Sequence, residues 1–468
     1  MIALSILLVI FHVISSSSSS PFPSRTIEGL VPNGCVPETT KFDRNVIALR
    51  RNPVILRDAM TKWDAVEKWK SFDYLKSRIE QQELRIQHSR RSLFAYDVIK
   101  PLTRMEAIHK SLKWSRDDDV FVNMSRFLEE THKDDEHYYY IMASLDTNLD
   151  YQDLVQDVTP NDLFRLDMGH EITNEFDVLF RRFDSRPVTP FNSSGSLNVA
   201  MSGKGVSVRS HYDASHNFLV QITGTKRLLL LPPNSVKMYP ETHPSHRQIQ
   251  PLSNENSAAQ VLEAVLQPGD MIYVPPFWIH HVDYTKELGV SVNTWSQAEE
   301  RQMTSRAQKM SDKTLQDLPL SAMKQFLFQV MKTALRGDNN DVITFLQTRV
   351  LEHRYGTIGP RYMKCNSAYD RPGQCESLVT HEGLMIPQSI GDDADEIGRI
   401  LSLIILIDRD EHVRSLLLAD YVERTVRTRL TKEATNMGLE NADVLGSLWV
   451  CPFLRCVVDQ SWVVSRKD

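Results

Sequence analysis

Two runs of sequence decide the fold: VSVRSHYDASHNFLVQITGTKRLLLLPP at residues 206–233 and LQPGDMIYVPPFWIHHVDYTKELGVSVNTW at residues 266–295. NFLVQI and KRLLLL flank the turn Thr223-Gly224-Thr225 and read as a β-hairpin that stops at Pro232-Pro233. Pro268-Gly269-Asp270 turns the chain into the strand MIYV, and GVSVNTW, rich in β-branched residues, reads as a further strand. Short strands separated by tight turns are what a small β-barrel requires.

His211 and Asp213 lie two apart in the first run, and His280 lies in the second. Strand side chains alternate, so His211 and Asp213 share a face while Tyr212 points away. Two imidazoles and one carboxylate on one side of a metal leave three positions open, which is the donor set of a non-haem Fe(II) oxygenase. Taken alone, the same residues also suit a surface ion pair and a hydrogen-bonded core histidine. Lys226, at the head of an apolar strand, offers a cation for a buried acid, or a charge guarding a strand edge.

These motifs resemble the JmjC and cupin-like family of Fe(II)- and 2-oxoglutarate-dependent oxygenases, in particular its small hydroxylases. The resemblance implies an α+β protein built on a double-stranded β-helix (jelly-roll) barrel. In that family the Trp-x-His of the closing strand supplies the distal ligand, which selects His280 over His281. The implied ligands of Fe(II) are therefore His211, Asp213 and His280. Lys226 matches the lysine that pairs with the far carboxylate of 2-oxoglutarate, Asn217 and Asn293 match amides near the metal-bound end, and Tyr140 of HYYYIMASL matches a tyrosine on the far carboxylate. Val208 departs from the pattern: close relatives carry threonine there, so one hydrogen bond is missing or comes from another residue such as Ser207. Trp278 and Trp295 suit either pocket lining or core. The implied activity is oxidative decarboxylation of 2-oxoglutarate coupled to hydroxylation of a protein side chain. Demethylation by the same chemistry, a metal enzyme that uses no 2-oxoglutarate, and a binding protein that has lost catalysis are the alternatives.

The 468 residues carry 54 basic and 60 acidic side chains, a formal charge of −6. No basic stripe stands out, so nucleic acid is not an expected partner. Residues 1–20 combine a short apolar run with serines and read as a secretory signal peptide rather than a membrane span. Residues 21–41 are then expected to be a flexible lead-in. Asn123-Met124-Ser125 and Asn192-Ser193-Ser194 are glycosylation sequons. Of five cysteines, Cys365 with Cys375 and Cys451 with Cys456 are spaced for local disulfides, leaving Cys35 alone. The address expected is the endoplasmic reticulum lumen or the exterior.

The catalytic domain is expected over residues 42–297. NPVILR begins it as a strand, KWDAVEKWKSFDYLKSRI follows with helical spacing, MSRFLEETH is a short helix, and HYYYIMASL is a strand. The PVILR…W…VEKW…YL pattern extends the family resemblance to this part. Residues 238–260 read as a solvated loop despite His243 and His246. Residues 298–468 are expected to be mostly helical: one helix ends at Gly337, a second covers DVITFLQTRVLEH, and two more lie in EIGRILSLIILI and DEHVRSLLLADYVERTVRTRL. These helices either pair two copies of the chain or pack on the barrel.

Overall fold

The computed structural model describes residues 22, 30–40, 51–79, 84–90, 92–94, 118–133, 137–145, 151–158, 196–203, 205–233, 260–285, 288–316, 318–352, 388–407 and 411–440, with scattered positions from 442 to 458. The expected signal peptide, Asn192, His243, His246, Cys365, Cys375 and Cys456 lie outside them.

Fifteen described strands are labelled in chain order: β1 (Gly34–Cys35), β2 (Glu38–Thr39), β3 (Val54–Leu56), β4 (Leu84–Ser89), β5 (Leu93–Phe94), β6 (Asp118–Val122), β7 (Tyr138–Ser144), β8 (Ser196–Ser202), β9 (Ser207–Tyr212), β10 (Ser215–Thr223), β11 (Lys226–Leu231), β12 (Leu262–Leu266), β13 (Met271–Val274), β14 (Ile279–Tyr284) and β15 (Gly289–Gln297). They form a six-stranded sheet in the order β1-β12-β11-β14-β9-β5 and a nine-stranded sheet in the order β2-β3-β13-β10-β15-β8-β7-β4-β6. Ile55, Ala200, Leu219 and Ile272 of the larger sheet share one apolar cluster with Val208, Leu228, Leu230 and Val282 of the smaller. The two sheets therefore stack face to face, as in a jelly roll, and the site lies between them.

Each outer face is covered. Phe218, Val220, Val290 and Val292 pack under the N-terminal helices with Trp63, Trp69, Leu75 and Phe127. Leu229, Leu231 and Ile279 pack under the C-terminal helices with Phe326, Val330 and Tyr421. The C-terminal region thus packs on the smaller sheet. Apolar clusters on both faces explain why β10, β11 and β14 are buried along almost their whole length rather than at alternate residues.

Three expectations are corrected. NFLVQI and KRLLLL are not a hairpin: β10 pairs with β13 and β15, and β11 pairs with β12 and β14 in the other sheet. The turn at Gly224 carries the chain from one sheet to the other. Gly224 has φ +72°, and a Cβ there would sit 2.7 Å from the carbonyl oxygen of Leu288. Gly224→Ala is accordingly expected to cost about 1–3 kcal/mol, read as a lower urea midpoint.

The second correction concerns the helix expected to end at Gly337. It is two helices, Glu299–Leu315 and Leu320–Leu335, separated at Pro319. Proline lacks the N–H that a continuous helix needs, and here it precedes the first turn of the second helix. The other expected helices are present as Asn339–Phe345, which continues as a π-helical stretch over Leu346–Glu352, as Gln388–Ile407, which starts before the expected EIGRIL, and as Glu411–Asn436. The third correction concerns the flexible lead-in expected over residues 21–41: within it β1 pairs with β12 and β2 pairs with β3, and Val36 is buried between them. No described helix is long and apolar enough to cross a membrane.

Candidate active site

The donors meet because β9 and β14 are antiparallel neighbours with His211 directly opposite His280. Alternation alone would not have aimed them inward. Val208 belongs to the inner cluster and Tyr212 to the outer one, although four residues apart they should share a face. A register shift between His280 and Val282 inserts a bulge into the β9–β14 ladder and resolves this. Past the bulge, His211 joins His280 on the inner face. Asp213 follows just beyond the end of β9, where its carbonyl accepts the N–H of Phe277 at 2.8 Å.

The three side chains are buried, and one potential ligand atom from each lies within 4.8 Å of the others. His280 Nε2 is 3.9 Å from Asp213 Oδ2, and the two imidazole centroids are 4.2 Å apart. His211 Nδ1 lies 2.7 Å from the carbonyl oxygen of Arg209, and His280 Nδ1 lies 3.0 Å from that of Trp278. A carbonyl can only accept, so each Nδ1 carries the proton and each Nε2 keeps a lone pair for a metal. Trp295 Nε1 donates to Asp213 Oδ2 at 3.0 Å and fixes the carboxylate. Two oriented imidazoles and one carboxylate, with no fourth protein donor among the described residues, fit a divalent iron that keeps open positions. Trp295→Phe removes the bond to Asp213 and is expected to weaken metal binding by about 10–100-fold, measured by calorimetric titration.

His281 takes no part. It faces outward, with Nε2 2.8 Å from Asp283 Oδ1. Asp283 also accepts from Ser207 Oγ at 2.6 Å and from Arg227 Nη2 at 2.6 Å. These bonds hold its carboxyl at about 2 although burial opposes ionisation. Ser207 is therefore committed to the outer face and does not replace the missing threonine; Val208 faces inward as an apolar side chain. Trp278 packs in the inner cluster, with its indole donating to the carbonyl of Arg51.

Further down the same inner face, β11 pairs with β14 so that Leu230 faces His280 and Lys226 faces Tyr284. Lys226 is 1% exposed. Its ammonium donates to Ser291 Oγ and lies 4.4 Å from the centre of the Tyr284 ring. No carboxylate pairs with it among the described residues, and burial pushes its pKa down to about 7. Tyr284 hydrogen-bonds with Ser291 and Tyr140, and burial raises its phenol above the ordinary value. Asn293 Nδ2 lies 3.5 Å from Asn217 Oδ1, both buried and between the metal donors and this basic end. The structure thus gathers His211, Asp213, His280, Lys226, Asn217, Asn293 and Tyr140 around one interior space.

Sequence reasoning missed Ser291 and Tyr284. Both follow from alternation: Ser291 is two residues before Asn293, and Tyr284 four after His280, on faces already identified.

A two-sheet β core with a buried His-Asp-His set defines a cupin-type protein, and the chain belongs to the cupin-like domain family, of JmjC type, which it matches over residues 39–302. It is similar to tRNA wybutosine-synthesizing protein 5 of Gallus gallus, 26% identical over 335 residues that cover 64% of this chain and 93% of that protein. It is also similar to lysine-specific demethylase JMJ31 of Arabidopsis thaliana, 27% identical over 299 residues, covering 57% of this chain and 52% of that protein. A third relative is tRNA wybutosine-synthesizing protein 4 of Aspergillus oryzae, 25% identical over 60% of this chain and 24% of that protein. The chain therefore spans nearly all of the first relative, about half of the second and a quarter of the third.

Proposed function

We propose that this protein is an Fe(II)- and 2-oxoglutarate-dependent oxygenase that hydroxylates a protein side chain in the secretory pathway. The observation that carries this reading is a metal-ready donor set sharing one buried interior face with an ammonium that no described carboxylate neutralises. His280 and Lys226 are four strand positions apart, about 13 Å along the sheet. A lysine side chain and a five-carbon diacid reaching toward a metal together fill such a gap.

Bound iron would supply chelation of a keto acid and activation of oxygen. The protein's own residues do the rest. His211, Asp213 and His280 would hold the metal, and the carbonyls of Arg209 and Trp278 keep the imidazole protons on Nδ1. Lys226 and Ser291 would bind the far carboxylate, with Tyr140 tied to them through Tyr284. Asn217 and Asn293 would orient the keto-acid end, and the apolar inner cluster excludes water.

The expected leader, the exposed sequon asparagine Asn123 and a disulfide at Cys451 support an oxidising compartment. Cys35 is a free, exposed thiol. Proteins isolated from cells with and without this gene should differ by one oxygen atom on a particular side chain, read by mass spectrometry. Purified protein should convert 2-oxoglutarate to succinate in an Fe(II)-dependent manner.

A second reading takes RNA as substrate, because two of the relatives are named for tRNA wybutosine synthesis. The net charge of −6 weighs against it, since phosphate neutralisation supplies most non-specific RNA affinity. Salt-sensitive tRNA binding at physiological ionic strength would favour the RNA reading.

A further inference from the structure

We infer that Tyr284 sets the length of dicarboxylate this site accepts, by walling off the space beyond the Lys226 ammonium. The inference rests on the cosubstrate reading above and deepens it. The Tyr284 ring lies under Lys226 Nζ at 4.4 Å and is buried. Its hydroxyl is engaged by Ser291 and Tyr140, so the ring is held at its outer end. It is also held from behind. A Cβ on Gly289 would lie 2.6 Å from Tyr284 Cδ1, so the ring fills the place that any larger residue at 289 would need. Gly289 has no positive φ, which leaves this close approach as the reason for glycine there.

A carboxylate reaching Lys226 therefore meets a fixed aromatic wall directly past the cation. An acid one carbon longer would have to push the ring into Gly289. One methylene too many or too few in a fitted pocket is worth about tenfold or more in discrimination. Shortening the wall should admit longer acids, and pushing it forward should favour shorter ones.

The test is a calorimetric binding series on the full chain with the redox-inert Mn(II) ion. It uses oxaloacetate, 2-oxoglutarate and 2-oxoadipate, which have four, five and six carbons. The wild type should prefer 2-oxoglutarate. Tyr284→Leu should shift the ratio of 2-oxoadipate to 2-oxoglutarate affinity upward by about tenfold. Gly289→Ala should shift the ratio of oxaloacetate to 2-oxoglutarate affinity upward. Tyr284→Phe, which keeps the ring, should retain the wild-type order with weaker binding overall. Circular dichroism verifies that each variant is folded, and if Tyr284→Leu does not fold, the Gly289→Ala and Tyr284→Phe pair decides the matter. Unchanged ratios in the folded variants, with wild-type binding still dependent on Lys226, overturn the inference and leave the cosubstrate reading standing. Wild-type protein that binds none of the three acids, or binds them equally well as Lys226→Met, overturns the reading itself.

Discussion

His211→Ala is expected to lower metal affinity by more than about 100-fold and to abolish turnover, while the protein stays folded. Loss of a ligand should exceed the roughly 10–100-fold that loss of a ligand's supporting hydrogen bond costs. The two sheets do not rest on the metal: apolar clusters fill the interior between them and both outer faces. Truncating one buried imidazole should therefore cost no more than about 1–3 kcal/mol. The neighbouring histidine provides the contrast. His281→Ala should leave metal binding near wild type, because its ring faces outward to Asp283. It should lower stability by about 1–3 kcal/mol, since Asp283 loses a buried partner. Calorimetric metal titration beside urea unfolding separates the two outcomes.

Lys226→Met is expected to abolish dicarboxylate binding and, in the same variant, to stabilise the ligand-free protein. A buried ammonium without a carboxylate partner is a destabilising element. Its folded pKa of about 7 lies below the ordinary 10.5, so the unfolded chain holds more protons between those values. Stability of the wild type therefore rises with pH across that window, and the burial penalty is fully present below pH 7. The gain from methionine should be on the order of 4 kcal/mol below pH 7 and fade toward pH 10. The same linkage makes 2-oxoglutarate binding take up a proton above pH 7. Its affinity should fall by up to about tenfold per pH unit there, as seen by calorimetry in buffers of different ionisation enthalpy. A destabilised Lys226→Met would mean that the amine is satisfied in the resting protein.

Much of the site was legible because its residues obey simple alternation. His280, Asn293 and Lys226 sit on strands whose inner and outer faces are regular, and the tight turns at Gly224 and Pro268-Gly269 announce where those strands stop. Five features were hidden. The bulge that aims His211 inward leaves no composition signal, since Arg209-Ser210 looks like ordinary strand sequence. The crossing at Gly224 reads like a hairpin because a glycine with positive φ serves both; which sheet the next strand joins is decided by long-range pairing. Pro319 divides a helix whose apolar periodicity runs straight through it. The support behind the ligands, from the carbonyls of Arg209 and Trp278 and the indole of Trp295, depends on side-chain geometry that periodicity does not encode. The outward network of Ser207, Arg227, His281 and Asp283 was also invisible, because polar residues inside an apolar-looking strand suggest a solvent face rather than a buried one.

The most direct measurement is the anaerobic absorption spectrum of the protein with Fe(II) and 2-oxoglutarate. Chelation of the keto acid by iron held at His211, Asp213 and His280 predicts a weak metal-to-ligand charge-transfer band that requires both additions. It should be missing in His211→Ala and, at cosubstrate levels that saturate the wild type, in Lys226→Met. Folded wild-type protein that gives no such band at saturating iron and 2-oxoglutarate would contradict the account.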